Sequence, residues 1–202
     1  MNENQEPFEI IAGPFEVYAA LVGTAFPAIK DAPAAPWKLI GKNGNANHDE
    51  GAVKVSHKQA TDKVYVAGRT SPRKVLRKQE EMHVIFDLLD LTIEAYAQAL
   101  GGLGISTVAA AAGVAGEKSM GLSMGGDVTQ VSILVRGLSP YGTGMAMQYE
   151  LPIASQVGDP APVPQKGKPA GLAFDYLVLD DPNAVDEYHR HGTLRGQTAA
   201  AL

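Results

Sequence analysis

The chain has 202 residues, 45% hydrophobic and 19% charged, with a formal net charge of −5, so no overall basic field is available to hold nucleic acid. Cysteine is absent, which excludes disulfides, thiolate metal sites and cysteine nucleophiles. No run of roughly 18 consecutive apolar residues occurs, so no membrane-spanning helix is expected, and the opening MNENQEPFEI does not read as a secretory signal.

Residues 1–36 read as an N-terminal arm. Phe8, Ile10, Ile11, Phe15, Val17, Tyr18, Leu21, Val22 and Phe26 are too apolar to stay in water, yet prolines 7, 14, 27, 33 and 36 interrupt them. Short extended pieces fit better than a helix. Such an arm is expected to pack on the body or on another subunit, and removal of residues 1–30 to leave a folded monomer that polymerises poorly. The body, 37–180, opens with the strand WKLIG and a turn-rich loop. Val53–Ser56 and Val64–Val66 alternate as strands. The polar HKQATDK between them is either a hairpin tip or a continuing exposed strand.

Arg73 to Gly102 organises the whole. Met82, Val84, Phe86 and Leu88 fall at period two, with His83, Ile85, Asp87 and Leu89 on the other face. The period then changes: Ile93, Tyr96, Ala97 and Leu100 make one stripe of a short helix, about 91–101. Asp90 or Thr92 can cap its start and Gly101-Gly102 its end. Residues 104–126 are rich in small residues and nearly uncharged. They read as a flexible loop, with room for a short helix at 107–112. Strands are expected over Val128–Val135, over Met145–Ile153 (weakened by Pro152) and over Leu172–Leu179. The tail, 181–202, reads as frayed or ordered by a partner. Seven or eight strands and one helix, with 22 glycines and 13 prolines, predict a mainly β protein, a sandwich or barrel with one flanking helix.

Catalytic patterns are sparse. Gly121-Leu122-Ser123-Met124-Gly125 matches the G-x-S-x-G elbow, with Asp180 and His189 following in triad order. The motif needs a strand before the serine and a helix after it, and neither is expected here. His189 and His191, beside Asp186 and Glu187, could contribute to a metal site but lack a third placed ligand. No catalytic, cofactor or metal residue is therefore assigned, and no enzyme activity is expected. Charge patterning is more informative. Six bases and no acid lie between Lys63 and Lys78 (Lys63, Arg69, Arg73, Lys74, Arg77, Lys78). Acids follow at Glu80, Glu81, Asp87, Asp90 and Glu94, and again at Asp180, Asp181, Asp186 and Glu187. Three readings stay open: a solvated face, a nucleic-acid contact, or a basic segment that meets acids on a neighbouring copy, which is favoured.

Three stretches, GPFEVYAALVGTAFPAIKDAPAAPWKLIG (13–41), DEGAVKVSHKQ (49–59) and GRTSPRKVLRKQEEMHVIFDLLDLTIEAYAQALGG (68–102), follow one another in a familiar order. The chain resembles the major tail tube proteins of long-tailed, non-contractile bacteriophages. The resemblance covers roughly the first half closely and the rest only by strand pattern. It implies a β-sandwich or barrel-like tube fold and hexameric rings stacked into a hollow tube. Viral DNA would pass through the lumen without specific binding. It also implies tape-measure, terminator and distal tail proteins as partners, and a virion location after assembly in the bacterial cytoplasm. Another β-rich virion component, such as a tail terminator or capsid-decorating protein, is the alternative, with a serine hydrolase using Ser123 behind it.

Overall fold

The computed structural model describes residues 15–41, 48, 53–142 and 144–198. The first 14 residues of the expected arm and most of the 42–52 loop lie outside these. In chain order the elements are β1 (Glu16–Leu21), β2 (Lys38–Leu39), β3 (Lys54–Val64), β4 (Lys74–Leu88), α1 (Ile93–Ala99), β5 (Ile105–Val108), β6 (Glu117–Met120), β7 (Gln130–Leu138), β8 (Ala146–Gln156), β9 (Leu172–Val178) and β10 (Thr193–Gly196). Eight strands form one antiparallel sheet in the order β2-β1-β7-β8-β9-β4-β3, with β10 also paired to β8; β5 and β6 pair separately. The chain is mainly β, with a single short helix among the described residues.

Alternation builds the core. Met82, Val84, Phe86 and Leu88 of β4 turn inward, as do Leu172, Phe174, Tyr176 and Val178 of β9. Ring centroids of Phe86 and Phe174 stand 4.9 Å apart in a stacked pair. Val17 and Ala19 of β1, Ile133 and Val135 of β7, and Leu151 of β8 complete the same cluster. The segment after β1 draws the two ends of the sheet together over it. Ile40 donates its N–H to the Val17 carbonyl at 2.8 Å and buries its side chain. His48 then bridges to Leu88 and sets its ring edge-on to Phe86.

Thr92, whose hydroxyl accepts from the Ala95 N–H at 3.2 Å, caps α1. Gly101 and Gly102, both at positive φ, return their N–H groups to the Gln98 and Ala97 carbonyls and end it. Three of the four residues of the expected stripe face inward: Ala97 and Leu100 are buried and Tyr96 packs against the core. Ala95, Ala97 and Ala99 are buried with Leu100, whereas Ile93 is exposed.

The sheet forks at Pro152. From Met147 to Glu150, β8 pairs with β10; from Ala154 to Gln156 the same edge pairs with β9. Proline, which has no N–H to give, occupies the gap. On the other edge the register with β7 shifts between Val131 and Ile133. The Ser132 hydroxyl at that bulge donates to the Pro152 carbonyl at 2.7 Å.

Three expectations change, and one open choice, at residues 57–63, is decided. The sheet takes in Glu16–Leu21, ahead of the boundary set at residue 36: β1 pairs with β7 over six positions and Val17 is fully buried. Residues 57–63 continue β3 as an exposed strand, so the 54–64 stretch is unbroken. Within 104–126 there is no helix; β5 and β6 form a small hairpin instead. The tail beyond 180 supplies β10, whose Arg195 reaches Glu150.

Candidate functional site

The projecting end of the β3–β4 hairpin is the least self-sufficient part of the chain. β9 accompanies β4 only from Met82 to Leu88; Lys74 to Glu81 has β3 as its sole partner. That stretch carries the ribbon about 26 Å past the end of β9, at about 3.3 Å per residue. Every residue from 57 to 81 is exposed. A register shift between Ala60 and Thr61 leaves Lys78 as the extra residue of a bulge. On one face Arg77 donates to the side chains of Gln59 and Glu80, each at 3.2 Å. On the other, Lys78 pairs with Asp62 at 2.6 Å. These exposed pairs are worth little individually.

Beyond them the outer end carries Val64, Tyr65, Val66, Val75 and Leu76, all between 41% and 57% exposed. Lys63, Arg69, Arg73 and Lys74 are interleaved with these apolar residues, and none makes an ion pair among the described residues. A lone two-stranded ribbon is marginal in water, and β3 ends the sheet with an edge that no described strand pairs. Lysines along such an edge discourage indiscriminate pairing.

At the hairpin base a cavity of about 590 Å³ opens between Arg77, Glu80, Asp180, Glu187, Arg190 and His191. The second acidic group of the sequence therefore sits beside the chain's own hairpin. His189 Nδ1 lies 2.6 Å from Asp186, a bond that holds the Asp186 carboxyl below its usual range. Asp180 lies 3.7 Å from Arg190. Among the described residues no group of three or more His, Asp or Glu is placed to hold a metal ion. Ser123 lies elsewhere: its motif leaves β6 and leads into β7 with no helix following. It is near the opposite end of the sheet from Asp180 and His189, so the three are not brought together.

Two polar constellations were not read from the sequence. On the outer face, Arg136 donates to the carbonyls of Ile29 and Asp31, at 2.8 and 2.7 Å, and Gln148 donates to that of Pro27 at 3.0 Å. Trp37 packs with Phe26 and donates to Ala25. Residues 22–37 are thereby strapped across β1 and β7. Gln148 also donates to Glu150, which receives Arg195, so the two buried polar side chains are satisfied by each other and by an exposed guanidinium. Behind β4, His83 Nδ1 lies 2.7 Å from Asp175, a cross-strand partner pair once removed on the β4–β9 face. Long-range pairings of this kind leave no local sequence signal.

The chain matches no known family model and no curated protein.

Proposed function

We propose that this chain is a structural subunit that completes itself by polymerising, the major tube subunit of a long, non-contractile phage tail. The observation that carries this reading is the β3–β4 ribbon. It projects past β9 with apolar residues exposed on both sides and an edge that no described strand pairs. A protein that worked as a monomer would gain nothing from so costly a surface. Supporting it are the three stretches that resemble tail tube proteins, at 13–41, 49–59 and 68–102. They correspond to β1 with its strap, the start of β3, and β4 with α1. In this reading rings of copies, six by the resemblance, stack into a hollow virion tube. DNA passes through without a specific site, no catalysis is needed, and other tail proteins close the two ends.

The test is negative-stain electron microscopy of the purified chain. Long hollow polymers with a regular axial repeat are expected. Closed single rings or surface knobs would favour a terminator or decorating protein, and a persistent monomer would defeat the reading.

A further inference from the structure

We propose that the cleft at the base of the hairpin is a carbohydrate site for a neutral N-acetylated hexosamine, with Tyr188 as the stacking ring and the acetyl group directed toward the core. The proposal is independent of the tube reading.

Two hollows meet at this cleft. The larger is the cavity of about 590 Å³ between the ribbon base and the 180–191 loop. Glu80, Tyr188 and His191 also line a second recess of about 210 Å³, beside the fork where β10 and β9 share β8. The buried core residues Met82 and Leu151 form its floor, with Tyr149 beside them. Thr193 and His57 complete its wall. The site is thus polar outside and apolar within.

The loop that carries Tyr188 is closed by its own backbone. Asp181 donates its N–H to the Arg190 carbonyl at 2.9 Å, and Gly192 donates to that of His189 at 2.9 Å. Asp186 Oδ1 accepts from the Tyr188 N–H at 2.9 Å. The Tyr188 side chain is left 85% exposed. A tyrosine held out in this way offers a flat amphipathic face at low entropic cost.

The charges on the wall select the ligand by exclusion. Arg77 pairs with Glu80 at 3.2 Å, Arg190 lies 3.7 Å from Asp180, and Glu187 adds a further carboxylate. An anion entering the cleft meets three acids, and a cation meets two arginines. A neutral ligand avoids both, and hydroxyl groups can donate to the one kind of wall and accept from the other. Glu187, His57 and His191 make no hydrogen bond or ion pair among the described residues, so their capacity is unspent. A purely apolar ligand would fill the recess and leave the polar mouth unmatched. A plain hexose would match the mouth and leave the recess empty. An acetamido group on a sugar ring serves both: its methyl suits Met82 and Leu151, and its amide suits Thr193 and His57.

The experiment is saturation-transfer NMR on the full chain with four probes. They are methyl N-acetyl-β-glucosaminide, methyl N-acetyl-β-galactosaminide, methyl β-glucoside and a capped apolar residue, N-acetyl-leucine methylamide. A monosaccharide in an open site of this kind binds in the millimolar range. At least one acetamido sugar should be saturated, most strongly at its acetyl methyl, and bind about fivefold more tightly than the glucoside. Tyr188→Ala should weaken it about tenfold, whereas Tyr188→Phe should keep most of the affinity. Glu187→Gln should weaken it about threefold. Tyr141→Ala, which removes an exposed ring elsewhere, should change nothing. Tyr188 and Glu187 are exposed, so an unchanged melting curve establishes folding in each variant. No transfer to either acetamido sugar, equal binding of the glucoside, or binding that survives Tyr188→Ala overturns the proposal. Saturation of the capped leucine alone also overturns it and makes the recess a peptide site.

Discussion

The backbone of Gly192 passes so close to the carbonyl oxygen of Glu150 that no side chain fits between them. A Cβ built on Gly192 would collide with that oxygen and touch the Pro152 ring, and the residue sits at φ +116. This approach delivers the chain into β10 just where β8 changes neighbours. Gly192→Ala should therefore destabilise the fold by roughly 3 kcal/mol or more, from backbone strain and overpacking together. Chemical denaturation would show it, and an unchanged midpoint would contradict the fork described here.

Arg195 and Glu150 make a second test of the same junction. Glu150 is buried, while its partner Arg195 is more than half exposed. Arg195→Ala leaves the carboxylate with Gln148 as its remaining donor and costs about 1.5 kcal/mol, the low end for a charged hydrogen bond because the guanidinium is solvated. Arg195→Lys should recover part of the loss. Thermal melts of the two variants measure it.

Removal of residues 1–30 takes away β1 and half of the strap over it. Val17 lies in the main core and Ala20 packs with Trp37 on the outer face. The truncated chain should lose cooperative unfolding, seen as a broad, shallow melt by circular dichroism. A folded, monomeric truncation would restore the picture of a dispensable arm.

His48 gives a pH dependence. Burial against Phe86 lowers its pKa below 6.5, partly offset by Glu16 and Asp90. The folded chain then binds this proton less readily than the unfolded one. Its contribution to stability is whole above pH 6.5 and is lost as the pH falls from there through the lower folded value. Comparing His48→Leu with the parent at pH 7 and pH 5.5 isolates the effect from the carboxylates. The variant's melting temperature should fall less on acidification.

Much of the sheet is legible in the amino-acid order, for a plain reason. Met82, Val84, Phe86 and Leu88, and Leu172, Phe174, Tyr176 and Val178, recur at period two because one face of each strand lies in the core. The β5–β6 hairpin was missed because Gly, Ala and Ser dominate it and it is exposed on both faces, which erases the period. β1 was set outside the body because prolines surround it, although the six residues themselves carry none. Of the helix stripe, only Ile93 departs and turns to solvent, because the period gives the face but not its edges. Of the candidate site, the basic run was evident from composition. The bareness of the ribbon that carries it was not, since only the pairing of β4 with β9 shows where the sheet stops accompanying it.

The fifteen residues of β4 run without a break from the exposed ribbon into the middle of the sheet. A pull on the ribbon, directed along the strand, meets the hydrogen bonds to β9 from the side. All seven partner positions between Met82 and Leu88 then bear the load at once and cannot be unzipped singly. A load applied at the tip is thus mechanically coupled to the core, in shear across the whole β4–β9 pairing.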